Sequence, residues 1–153
     1  MKESTHNYTY SNPILFYDGV CHLCQKSVQW IFKREVKNID SSQSKILFAP
    51  LQGETAQKIS QELGVNLSEY ESLVIYHQSN LTNEGQILLR SEAVFFCLKF
   101  MKYPEKLCLV FKIIPKVILN LAYDLIAGTR YKIFGKSKVC WIPKSEWEER
   151  FLP

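Results

Sequence analysis

The chain lacks an apolar run long and clean enough to cross a membrane. Its most apolar span, Leu107 to Ala127, is interrupted by Lys112, Pro115, Lys116 and Asp124, whereas a spanning helix needs about 20 predominantly apolar residues. A core-facing helix pair is the expectation there, and a peripheral membrane contact stays open as the alternative. Met1 to Pro13 has no apolar h-region, so no secretory signal is expected. The chain has no internal repeat or low-complexity segment. It also has no second C-x-x-C and no H-x-x-x-H, which leaves a zinc site a minority reading with His22, His77, Cys140 and His6 as scattered candidate partners. No metal or other cofactor is expected. Acidic residues are missing from Gly128 to Lys144, where Arg130, Lys132, Lys136, Lys138 and Lys144 make up the basic excess behind a net charge of only +4. A solvated basic face explains this, and no nucleic-acid partner is expected.

What remains is an ordinary globular composition, 46% hydrophobic and 22% charged over 153 residues, long enough to bury a core as one domain. Five cysteines are present: Cys21, Cys24, Cys97, Cys108 and Cys140. An odd number without an export signal argues against a disulfide framework and for a reducing, cytoplasmic setting. There the close pair Cys21 and Cys24 is catalytic or metal-binding rather than structural. Cys97 and Cys108 fall in apolar helical segments and read as core cysteines.

The stretch Ile14 to Cys24 carries the strongest signal. Ile14 to Tyr17 is a continuous apolar run, as in a strand covered on both faces. Asp18-Gly19 is turn chemistry. A helix from about Val20 to Glu35 puts Cys24, Val28, Ile31 and Phe32 on one face and Leu23 and Trp30 on the other, so a second segment should cover that other face. Strands follow at Lys45–Ala49, Ser72–His77 and Gln86–Arg90, the last two as an antiparallel hairpin, with a helix at Gly53–Leu63 stopped by Gly64. Ser91 is the expected cap of the next helix. Pro104 should open another, Pro115 divide it and Gly128 stop it. From Thr129 an irregular tail carries Tyr131, Phe134, Trp141, Trp147 and Phe151. It is too apolar to stay unpacked, and Ser145 with Glu148 suggests a last capped turn. The order β-α-β-α-β-β-α, with the cysteine pair after strand one, predicts an α/β thioredoxin-like core over about 13–103 and a helical, aromatic-rich extension over about 104–153.

Thiol-disulfide exchange needs a thiolate with access to another sulfur. At a helix start the unpaired N–H groups favour negative charge, so Cys21 is the expected exposed nucleophile and Cys24, one turn inside, the resolving thiol. A protonated His22 would help Cys21. Asp18 either organises the turn or accepts a proton near the pair. Tyr123, Asp124, Arg130 and Tyr131 can reach the site, with a structural cluster as the default. An inert or redox-sensing binding module is the alternative function.

Tyr17-Asp18-Gly19-Val20-Cys21-His22-Leu23-Cys24 resembles the D-x-x-C-x-x-C signature of the DCC family of thiol-disulfide oxidoreductases. Tyr123-Asp124-Leu125-Ile126-Ala127 with Arg130-Tyr131, Phe134-Gly135 and Cys140 is similar to that family's C-terminal pattern. The resemblance implies a thioredoxin-like fold, a redox pair at Cys21 and Cys24 with Asp18 as a motif residue, and a protein or small-molecule disulfide or dithiol as partner. The chain departs from thioredoxins in having no proline near Glu71 or Ser72, before the third strand.

Overall fold

The computed structural model describes residues 12–35, 45–70, 72–78, 85–137 and 145–153. Four strands, β1 (Ile14–Tyr17), β2 (Leu47–Pro50), β3 (Val74–Gln78) and β4 (Gly85–Leu89), form one sheet in the order β2-β1-β3-β4. β1 and β2 run parallel, joined through helix α1 (His22–Arg34), while β3 lies antiparallel to both β1 and β4. Helix α2 (Glu54–Leu63) follows β2 and helix α3 (Arg90–Lys99) follows β4. The architecture is thioredoxin-like, as the element order predicts.

Strand alternation divides the core. Leu15, Tyr17 and Ile75 point to one face and pack with Val28 and Ile31 of α1 and with Ala93, Cys97 and Leu98 of α3. Ile14, Phe16, Val74 and Tyr76 point to the other, against Ala56 and Ile59 of α2 and Leu67. Burial on both faces is why β1 is an unbroken apolar run. Helix α2 starts at Gly53 and ends at Gly64, which takes a left-handed conformation at φ 65°.

The C-terminal part departs from expectation. Ser91 does not cap α3. Leu89 holds the cap position without a side-chain bond, and the Ser91 hydroxyl donates to Asn120 Oδ1 at 2.6 Å. Pro104 and Pro115 act as expected, bounding a 3-10 helix (Glu105–Ile113) and then helix α4 (Lys116–Phe134). Gly128, however, does not stop α4. The helix runs through it to Gly135, whose φ of 80° is a conformation that side-chain-bearing residues rarely adopt. Residues 129–134 are therefore helical, not irregular.

The expected core-facing pair is also overturned. The 3-10 helix has no buried residue, and in α4 only Arg130 is buried. Ile113 and Val117 are 86% and 80% exposed, and Leu107, Val110, Leu121 and Leu125 are exposed as well. Cys108, expected in the core, is exposed. Among the described residues no helix is long and apolar enough to cross a membrane.

The last described segment does pack back. Trp147 lies 4.5 Å from Phe32 between ring centroids, and Phe151 stacks on Phe48 at 5.0 Å. Arg150 donates to the Ile46 carbonyl and pairs with the buried Glu35 carboxylate at 2.5 Å. Residues 145–150 form a 3-10 turn; Trp141 and Cys140 lie outside the described residues.

Candidate active site

The parallel pairing of β1 with β2 sets Tyr17 beside Pro50. The loops leaving both strands therefore emerge together, at the strand ends where α/β sheets build their sites. Asp18 begins the first loop. Its Oδ1 accepts the Val20 N–H at 3.0 Å and Gln52 Nε2 at 3.2 Å, and its carbonyl accepts the Cys21 N–H at 3.3 Å. Gln52 Oε1 also accepts the Gly19 N–H at 3.1 Å, and Gln25 Nε2 donates to the Gly19 carbonyl at 2.6 Å. The turn is thus pinned from β2's loop and from inside α1. Neither glutamine was among the expected site residues. The position of Gln52 just beyond a parallel strand's end was the available signal.

Cys21 occupies the N-cap of α1, and its Sγ accepts the Cys24 N–H at 3.3 Å. That sulfur holds the place usually taken by a serine or aspartate oxygen. Both cysteines are free thiols. Their exposure is the reverse of the expectation: Cys21 is 0% exposed, whereas Cys24 is only partly covered and lines a cavity. The physical reason lies far along the chain. After Gly135 the backbone crosses the start of α1, where Lys136 bridges to Cys21 and the Ser137 N–H donates to the Val20 carbonyl at 2.8 Å. Burial pushes the Cys24 thiol well above the ordinary range. Its hydrogen bond to Cys21 and the negative charges of Cys21 and Asp18 add to the rise, and Arg130 opposes it.

Helix α4 brings two more of the expected residues to the pair. The Tyr131 hydroxyl makes a short hydrogen bond to Asp18 Oδ2, and the buried Arg130 guanidinium lies 3.6 Å from the same oxygen. Arg130 also donates to the Ala127 carbonyl at 3.0 Å and to the Tyr131 hydroxyl at 3.2 Å. Burial raises the Tyr131 phenol, and its bond to Asp18 raises it further. Asp18 therefore has a fixed structural occupation, bracing the turn through Oδ1 and holding α4 through Oδ2. Tyr123 reaches the loop before β3, where its hydroxyl accepts the Leu73 N–H at 2.8 Å. Asp124 does not join the site; it pairs with the half-exposed Arg90 at 3.0 Å.

A cavity of about 330 Å³ opens beside Cys24, between α1, α3, α4 and the Ser72-Leu73 segment that precedes β3. Leu23 and Trp30 line it, so among the described residues the second face of α1 looks into a cavity under α4. Trp30 stays 46% exposed at its rim. Ser72, one of the two positions near which the sequence lacks the proline of thioredoxins, lines the cavity. His77 sits near the end of β3 with its ring on Phe96 at 5.0 Å. Among the described residues no three His, Cys, Asp or Glu side chains converge as metal ligands; His6 and Cys140 lie outside them.

The chain matches the DCC1-like thiol-disulfide oxidoreductase family over residues 15–136. It is 33% identical over 142 residues to the uncharacterized protein YuxK of Bacillus subtilis (strain 168), covering 93% of this chain and 95% of that one. It is 30% identical over 129 residues to a chloroplastic DCC family protein of Arabidopsis thaliana, covering 84% of this chain and 68% of that one. No solved structure matches the chain.

Proposed function

The chain belongs to the DCC1-like thiol-disulfide oxidoreductase family, and from that premise we propose that it exchanges disulfides through Cys21 and Cys24 as one cytoplasmic domain. The observation that carries the reading is the Cys21 sulfur at the N-cap of α1, hydrogen-bonded to the Cys24 N–H one turn away. Two thiols held in one helical turn can close into a disulfide with little backbone movement. Asp18 belongs to the site as the group that fixes the turn and keeps Arg130 beside the thiols. Four free thiols, Cys21, Cys24, Cys97 and Cys108, suit a reducing compartment.

The test uses pre-reduced protein and a small disulfide, 2-hydroxyethyl disulfide. The expected result is a Cys21–Cys24 disulfide, identified by peptide mass, with two equivalents of released thiol. Cys21→Ser and Cys24→Ser should each stop at a mixed adduct or react not at all. Oxidation that never links the two cysteines would overturn the reading.

A second reading, a redox-sensing or inert binding module, draws on the burial of Cys21. A pair that oxidises once but does not turn over with an external dithiol would favour it.

A further inference from the structure

We propose that the cavity beside Cys24 binds a small, uncharged, apolar disulfide, of the cyclic dithiolane or dialkyl type, and presents it to Cys24. The proposal rests on the exchange chemistry above and adds the substrate class.

Three observations point the same way. The first is the lining. Leu23, Trp30, Leu73, Val94 and Ile126 surround Cys24, and the volume of about 330 Å³ suits a compact ligand. Three of the polar side chains around it are turned to partners in the chain. Ser27 donates to the Leu23 carbonyl at 2.8 Å, Tyr123 accepts from Leu73 at 2.8 Å, and Arg130 holds Asp18 and the Ala127 carbonyl. A charged disulfide would lose much of its hydration in a lining that is mostly apolar, where the Arg130 cation is already held by Asp18.

The second observation concerns polypeptides. An extended peptide could dock by pairing with the backbone just before β3. Here the Leu73 N–H is already bonded to Tyr123, and α4 overlies that segment. The third is access. Cys21 is 0% exposed beneath residues 135–137, while Cys24 lines the cavity. A ligand in the cavity meets Cys24 first.

The exchange balances as follows. Cys24 gives its proton to water, a step that burial of its thiol makes costly and that the Arg130 charge eases, and the thiolate attacks one sulfur of the substrate. The substrate S–S bond breaks, a Cys24–substrate disulfide forms, and the leaving sulfur takes a proton from water. Cys21, deprotonated in turn, attacks Cys24 Sγ. The second substrate sulfur departs and is protonated. The substrate gains two electrons and two protons, and the chain loses the same on forming the Cys21–Cys24 disulfide. An external dithiol returns the chain to its reduced form.

The test follows oxidation of the pre-reduced pair by lipoamide, by oxidised glutathione and by a disulfide-containing protein, each rate divided by that disulfide's rate with a free small thiol. Lipoamide should lead the other two by at least tenfold. In Cys21→Ser the lipoamide adduct should sit on Cys24. Ala127→Trp, which fills the cavity from α4, should lower the lipoamide rate at least tenfold; if it fails to fold, Val94→Trp at the rim replaces it. Corrected rates that are equal, an adduct on Cys21 in Cys24→Ser but none on Cys24 in Cys21→Ser, or a lipoamide rate indifferent to the filled cavity would each overturn the substrate class alone. If no disulfide oxidises the pair, the exchange reading itself fails and takes this proposal with it.

Discussion

Replacing Asp18 by Asn separates the two tasks of that side chain. The amide keeps one carbonyl oxygen for the Val20 N–H and Gln52, 3.0 and 3.2 Å away. It removes the charge and turns an NH₂ donor toward the Tyr131 hydroxyl and Arg130. With 6% of the Arg130 side chain exposed and 3.6 Å between the charges, the pair attraction is about 4–5 kcal/mol at an effective dielectric of about 20. Desolvation offsets much of that while the pair is intact, but a lone buried cation is left uncompensated, which typically costs about 3–5 kcal/mol. Arg130 keeps its bond to the Ala127 carbonyl, so the lower end, about 3 kcal/mol, is expected. Arg130→Met in the same chain removes the stranded charge, and Asp18→Asn/Arg130→Met should therefore be more stable than Asp18→Asn alone. Urea unfolding of the four reduced proteins closes the double-mutant cycle, with a coupling of at least about 2 kcal/mol expected. Additivity within about 0.5 kcal/mol would mean that the pair carries no such energy and that Asp18 matters only as a turn residue.

Two further outcomes follow from burial. Cys97 is enclosed, and burial, with the nearby Glu35 charge adding to it, pushes its thiol up to about 12 from 9.0. The folded chain therefore keeps a proton that the unfolded chain releases above about pH 9, and stability falls between about pH 9 and pH 12 by up to about 1.4 kcal/mol per pH unit from this group. Cys97→Ala should show a shallower alkaline decline in the same denaturation series, and an identical slope would refute the assignment. Ile113→Ser and Val117→Ser, at positions 86% and 80% exposed, should change stability by no more than about 0.5 kcal/mol; losses above about 2 kcal/mol would place these side chains in a core after all.

Local chemistry made half of this molecule legible. Ile14–Tyr17 declared a doubly covered strand because both faces of β1 are in fact buried, and Gly64 marked the end of α2 because its left-handed conformation is written in the residue type. The C-terminal half resisted first because its roles at the site are set by partners far along the chain, some of them over 100 residues away. Arg130 and Tyr131 meet Asp18, and Lys136 crosses Cys21, across separations that no periodicity encodes. The burial of Cys21 follows from that crossing, so helix position alone could not give it. The apolar pattern of residues 107–126 reported side-chain chemistry correctly but not whether anything covers it. Gly128 and Gly135 are the same residue, and only the backbone angle separates an interior glycine from a terminating one.

The segment Phe151–Pro153 gives the sheet an asymmetry of its own. Leu152 donates to the Phe48 carbonyl of β2 and the Pro153 carbonyl accepts from Thr55 in the first turn of α2, each at 2.8 Å, so the segment ties the outer rim of β2 at Phe48 to the start of α2. A β-carbon on Gly53 would come within 2.8 Å of the Pro153 backbone, which fixes how tightly that seam is drawn. Among the described residues β4 is the opposite rim of the sheet, at the far end from the seam. Among these residues, a strand added beside β4 would extend the sheet away from that seam.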